Sequence, residues 1–311
     1  MGKNACMYIP EELDERLEGV RYKSLFIKIN NICNHATHIY TRSIFDFLCV
    51  YFIKIFRKKK YKIIHDFRGL ISEESFMRNQ SKYRRSILRY IEKFVYNRAD
   101  ILHAVSFNLE TLLTSQESLK RKMSVIPCCC EWRPLPLKKS SFKDLKFVYA
   151  GSLAEWQNFD DIIEIYKSIE KIYENTSLTV LTFDIEQATM KINEHNLRNF
   201  FVKFVQHDYM QEELSKYDFG FLIRKNNIVN TVSSPIKFME YLNAGVIPIM
   251  TPFVGDYSNL GIKRDLAIVY ENIDSVINEV SNEKSNIQRQ LNINKFCHEF
   301  TWASMVDRIN W

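Results

Sequence analysis

The chain is 311 residues long, enough for two domains of ordinary size, each burying its own core. Hydrophobic residues make up 46% of it, as in a globular protein, and the net charge is only +6. That surplus is too small and too dispersed for a nucleic-acid binder, but it suits a protein that handles phosphates or lies on an anionic membrane surface.

Seven cysteines, three of them adjacent at Cys128, Cys129 and Cys130 and none in a C-x-x-C pair, point to reduced thiols and argue against a zinc site. The N-terminus is polar and acidic, so no signal peptide is expected. The longest apolar run, Ile44 to Phe56, contains Asp46 and Lys54 and is too short to span a bilayer. The expected location is the cytoplasm.

Met1 to Val20 is polar, and Tyr22 to Ile29 reads as a strand with no glycine-rich turn after it. His38 to Tyr40 is a short strand. Ser43 to Lys58 is a helix rich in aromatics that runs into the basic sequence RKKK. It is read either as a core helix with a basic last turn complementing its dipole, or as a membrane-surface helix. Tyr61 to His65 is a strand, followed by Asp66, Phe67, Arg68 and Gly69. Ligands in open α/β sheets bind beyond the carboxyl ends of the strands. His65, Asp66 and Arg68 are therefore site candidates, with a core histidine and an ion pair of Arg68 to Asp66 or Glu73 as the plain alternatives. Glu74 to Ala99 reads as one long helix with a basic, solvated face. Asp100 to Val105 is a strand, Ser106 caps a helix through Leu113, and Met123 to Pro127 closes the first domain. Trp132 to Lys143 reads as a linker.

From Leu145 the chain alternates strand and helix, which implies a parallel sheet. The strands are Leu145–Ala150, Leu178–Phe183, Phe200–Val205, Phe219–Ile223 and a weak one at Ala267–Tyr270. The helices between them are Phe159–Tyr173, Glu186–His195 and Gln211–Tyr217. The first strand enters Gly151, Ser152 and Gln157, a turn of the kind that faces phosphates. Arg224 and Lys225 follow the Phe219 strand, either as an exposed turn or as phosphate ligands, with the bidentate Arg224 preferred as anchor.

The segment VNTVSSPIKFMEYLNAGVIPIMT, Val229 to Thr251, is the centre of the reading. Ser233 and Ser234 before Pro235 read as a helix cap, and Ile236, Met239 and Leu242 as its apolar stripe. Gly245 reads as the left-handed stop, and Val246 to Met250 as a buried strand. Lys237 and Glu240 share one face, either as a surface ion pair or as a nucleotide site. In the second case Lys237 and the helix N-terminus take a phosphate and Glu240 takes the ribose hydroxyls.

SSPIKFMEYLNAGVIPIM resembles the donor segment of GT-B glycosyltransferases of family 4. YAGSLAEWQNFD, HDFRGLISEE, ADILHAVSFNLETLL and the closing FTWASMVDRINW resemble further family segments. The resemblance implies two Rossmann-like parallel-sheet domains facing across a cleft: a shortened acceptor-side domain over residues 1–135, and a donor domain over 144–311. It implies sugar transfer from a nucleoside diphosphate sugar, UDP or GDP, to an acceptor hydroxyl, with retention and without metal or other cofactor. Glu240 matches the ribose-holding Glu of the Glu-x7-Glu motif, but the first Glu falls at Val232. The family's Arg and Lys beside the diphosphate fall at Ser152 and Gln157. Expected around the donor are Gly151, Ser152, Gln157, Arg224, Lys225, Ser233, Ser234, Lys237 and Glu240. Expected on the acceptor side are His65, Asp66 and Arg68, with His65 also counted with Arg224, Lys237 and Glu240 as catalytic. The acceptor would be a glycan or a lipid-linked glycan, in bacterial surface polysaccharide or lipopolysaccharide synthesis, with contact to the inner face of the membrane. A second chain completing the N-terminal domain, and a degenerate relative that only binds nucleotide sugar or acts as a scaffold, are the alternatives carried forward.

Overall fold

The computed structural model describes residue 33 and residues 36–116, 120–129 and 144–306. The expected strand at Tyr22 to Ile29, the linker from Trp132, Cys130 and the last residues of the closing helix lie outside them. The chain divides into two compact units, with the break between Ile126 and Pro127.

The first unit is a parallel sheet with helical crossovers. Its elements are β1 (His38–Thr41), α1 (Ile44–Phe56), β2 (Lys62–Phe67), α2 (Ile71–Asn79), α3 (Lys82–Arg98), β3 (Ile101–Ala104), α4 (Phe107–Gln116) and β4 (Ser124–Val125). The strand order is β1-β2-β3-β4, a simple progression. Local sequence fixes the starts: Ser43, Ser81 and Ser106 each accept a hydrogen bond from the first turn of the following helix. The helix expected from Glu74 to Ala99 is in fact two. Gln80 turns left-handed at φ 52° and ends α2, and Ser81 caps a fresh start for α3.

The second unit has six parallel strands: β5 (Leu145–Ala150), β6 (Thr176–Leu181), β7 (Phe200–Lys203), β8 (Phe219–Leu222), β9 (Ile247–Met250) and β10 (Ile268–Val269). Its helices are α5 (Phe159–Ile172), α6 (Ile185–Glu194), α7 (His207–Leu214), α8 (Ile228–Thr231), α9 (Ile236–Asn243), α10 (Asp256–Lys263), α11 (Ile273–Ser281), α12 (Glu283–Glu299) and α13 (Trp302–Val306). Helix α7 starts four residues before the expected Gln211 and ends earlier. The order β10-β9-β8-β5-β6-β7 reverses between β5 and β8. From β5 the chain winds one way and from β8 the other, which leaves a crevice at the carboxyl ends of those two strands.

Strands β5 and β8 pair over only Phe147–Phe219 and Val148–Gly220. Beyond that, Tyr241 of α9 fills the gap: its hydroxyl accepts from Ala150 N at 3.0 Å and donates to Phe221 O at 3.3 Å. A Cβ on Gly220 would lie 2.7 Å from the Tyr241 ring, so only glycine admits it.

Candidate functional site

The crevice between β5 and β8 holds two buried cations. Gly151 leaves β5 at φ 145°, and a Cβ there would fall 2.1 Å from Lys237 Nζ. The bare glycine therefore makes room for the ammonium group. Lys237 Nζ donates to Gln157 Oε1 at 2.6 Å and lies 4.6 Å from the centre of the Tyr149 ring. Arg224 leaves β8 and is 7% exposed. Its backbone is tied to Thr251 at the end of β9, by N–H to Oγ1 at 2.9 Å and Oγ1–H to O at 2.8 Å. Its Nη1 donates to Trp156 O and Asn230 Oδ1, each at 3.3 Å, while Nε has no partner among the described residues.

Neither cation pairs with a carboxylate among the described residues, although buried charges normally do. Burial, with Arg224 beside it, pulls the Lys237 pKa well below its ordinary value, and Glu240 opposes this only in part. Burial also lowers that of Arg224, from a value so high that the guanidinium stays charged. Glu240, one turn along α9, is half-buried; burial raises its carboxyl pKa, offset by His207 and Lys237. Two desolvated cations with an unused N–H donor, at a topological switch point, are an arrangement suited to an anion.

Several expectations need correcting. Ser233 and Ser234 do not cap α9, whose N-cap is Pro235 with no side-chain bond. Ser233 Oγ instead donates to Asn230 O at 2.8 Å. Ser234 Oγ accepts from Cys128 N and donates to Tyr257 Oη, both at 3.0 Å, and so ties residues 127–129 to α10. Lys237 and Glu240 form no surface ion pair, because Lys237 turns inward while Ile236, expected in the apolar stripe, is 49% exposed. Lys225 and Ser152 are exposed, and Lys225 contributes its carbonyl to Asn230 Nδ2 at 2.9 Å. Val232 is buried at 2% exposure, so its position presents an apolar side chain to the interior.

In the first unit, pleating splits the acceptor-side candidates. His65 shares a face with Ile63 and Phe67, while Asp66 points the other way. His65 is 1% exposed, bonded to Thr41 Oγ1 at 2.9 Å and edge-on to Phe47 and Phe67. Burial holds its pKa down at about 3, so the imidazole is neutral. Its place is that of a core histidine. Asp66 instead joins Tyr40 and His103, its neighbours across the sheet, and Arg68, whose Nη1 lies 3.4 Å from Asp66 Oδ2 and 3.3 Å from Ile126 O. Burial and the adjacent Asp66 carboxylate keep the Tyr40 phenol protonated. The sequence reading missed Tyr40 and His103, which only the strand register brings beside Asp66. It also missed Tyr149, Asn230 and Thr251, none of which belongs to a motif.

No protein-family model and no curated protein sequence matches the chain. Solved structures do match it. Anabaena HepE in complex with UDP and glucose superposes with a TM-score of 0.70 at 10% identity, over 94% of this chain and 82% of that one. Sucrose-phosphate synthase from Thermosynechococcus elongatus gives 0.67 at 12% identity, over 92% and 77%. A point mutant of TarM from S. aureus, in complex with fondaparinux, alpha-GlcNAc-glycerol and UDP, gives 0.64 at 12% identity, over 83% and 52%, so this chain spans about half of TarM's length. At such identities the likeness defines the fold, two parallel-sheet α/β domains of the GT-B class found in glycosyltransferases.

Proposed function

We propose that the protein is a glycosyltransferase that moves a sugar from a nucleoside diphosphate sugar to an acceptor hydroxyl. The observation that carries this is the buried Lys237–Arg224 pair, which has no acidic partner among the described residues and sits at the switch point of the second sheet. A diphosphate supplies the missing charge. As the sugar C1–O bond breaks, its electron pair passes to the diphosphate oxygen, and both cations stabilise that charge more than they stabilise the ground state. The acceptor oxygen forms the new bond to C1 and passes its proton to the departing diphosphate oxygen. Glu240 positions the ribose. Gly151, Ser152, Gln157, Lys225 and the Ser233–Ser234 loop line the donor, which we assign to residues 144–311. Asp66 and Arg68, with Tyr40 and His103, are the polar groups offered by the acceptor-side domain.

HepE and TarM were solved with UDP, which supports UDP as the first donor to try. Retention of configuration, independence of metal, a glycan or lipid-linked acceptor and a role in surface polysaccharide or lipopolysaccharide synthesis complete the reading. One observation favours a second reading, a nucleotide-sugar-binding subunit without catalysis: Val232 is buried where the resemblance calls for the sugar-side Glu.

The test is a thermal-shift panel of UDP-, GDP-, ADP- and CMP-sugars on the wild type, Glu240→Ala and Lys237→Met. One diphosphate sugar should raise Tm in the wild type and in neither variant. A shift without turnover of any acceptor selects the binding subunit, and no shift with any donor rejects both readings.

A further inference from the structure

Helix α1 is apolar on the side that faces away from its sheet. Ile44, Phe47, Val50 and Ile53 fill the core, while Phe45, Phe52, Ile55 and Phe56 are exposed by 53, 47, 51 and 79%. Phe45, Phe52 and Phe56 are seven and four apart and so form one stripe. A helix apolar all round belongs in an interior, and half of this one is bare. Helix α3 extends the surface. It abuts α1 through Tyr51 and Phe94, whose rings meet edge-on at 5.2 Å. Its own Tyr83, Ile87 and Tyr90, again at helical spacing, are 79, 43 and 73% exposed.

The border of this surface is cationic. Helix α1 runs into Arg57, Lys58, Lys59 and Lys60, and α3 exposes Lys82, Arg84, Arg89 and Lys93. The only acid of α3, Glu92, is turned inward and accepts from Ser72 N and Oγ at 3.0 and 2.6 Å. Asp46, which is exposed, is the lone acid on α1.

We propose that the α1–α3 face docks on an anionic lipid bilayer. The exposed charge is predominantly positive, eight cations against Asp46, and complements acidic headgroups. Phe and Ile side chains would enter the acyl boundary, the tyrosines would sit at headgroup depth, and the lysines would snorkel outward. Ile55 and Ile87 offer no stacking to a base, which argues against single-stranded nucleic acid. No described helix is long and apolar enough to cross a membrane, so the contact is peripheral. Two weak signals, apolar insertion and a basic rim, add up to reversible anchoring.

The test is sedimentation of the full chain with vesicles of phosphatidylcholine, with and without phosphatidylglycerol, and with no nucleotide present. It is therefore judged apart from the transferase reading. The wild type should bind only the anionic vesicles, and salt should weaken binding. Each of Lys59→Gln and Lys60→Gln should weaken it about fivefold. Phe56→Ser with Tyr90→Ser should weaken it at least tenfold at unchanged Tm, since both residues are exposed. Absence of binding to anionic vesicles, equal binding to neutral ones, or full binding by the aromatic variant would overturn the proposal. So would a dimer that the aromatic variant breaks in a chain that ignores vesicles, which would give the face to a second copy.

Discussion

Lys237 is 9% exposed, shares its space with Arg224 and gives its hydrogen bond to an amide rather than an acid. The site on its own is therefore held in a state that costs stability, on the order of a few kcal/mol for an unmatched buried charge. Lys237→Met should raise the Tm of the ligand-free protein while abolishing the shift given by the donor sugar, as function-bearing strain predicts. The pH dependence has a definite sign. The folded pKa of Lys237 lies below its unfolded value, so between the two the unfolded chain binds more protons. Stability should climb as pH rises through that window towards about 10.4, and Lys237→Met should flatten the climb in urea melts. The sequence singles out Lys237 and Glu240, since both follow the helix start at Pro235. That Lys237 points inward was not: the apolar spacing Ile236–Met239–Leu242 turns it to solvent, and only packing against Tyr149 and Gly151, far earlier in the chain, reverses the choice.

At the scale of elements, the start of α9 is set by a neighbouring backbone rather than by its serines. Gly255, at φ 55°, lies so close to the preceding loop that a Cβ would fall 1.9 Å from Ser233 O. Gly255→Ala should cost roughly 1–3 kcal/mol and weaken donor binding along with it, because the loop that precedes Lys237 must move. A lower urea midpoint with unchanged donor affinity would separate the loop from the site. Most strands and helices were legible from apolar runs and caps. The long helix expected from Glu74 was divided by a single residue in an unexpected conformation, Gln80, where nothing in SFMRNQSKYRR announces a left-handed turn between two good helical stretches.

At the scale of the whole molecule, His65 in the first unit and Lys237 in the second act in different pH windows. His65 in the first unit has a folded pKa of about 3, against an unfolded value near 6.5. The unfolded state binds the extra proton between these values, so stability is lost as pH falls from about 6.5 towards 3, by up to about 1.4 kcal/mol per unit. His65→Leu should make the acid limb shallower and leave the alkaline limb unchanged, whereas Lys237→Met should do the reverse. Class and alternation of the two sheets were legible from the sequence. Strand order was not, and it is the reversal between β5 and β8 that creates the crevice.

That reversal has a cost the chain meets with one side chain. Where β5 and β8 part, Ala150 N–H and Phe221 C=O lose each other as ladder partners, and the hydroxyl of Tyr241 takes both. Tyr241 lies four residues beyond Lys237 on the same helix face. The helix that carries Lys237 is thus also a rivet through the sheet. It cannot swing away without breaking the seam that holds the two halves of the sheet together. Loosening of the site must come from the flanking Gly151–Gln157 loop and the Lys225–Ser234 segment, and α9 stays as the fixed jaw of the grip.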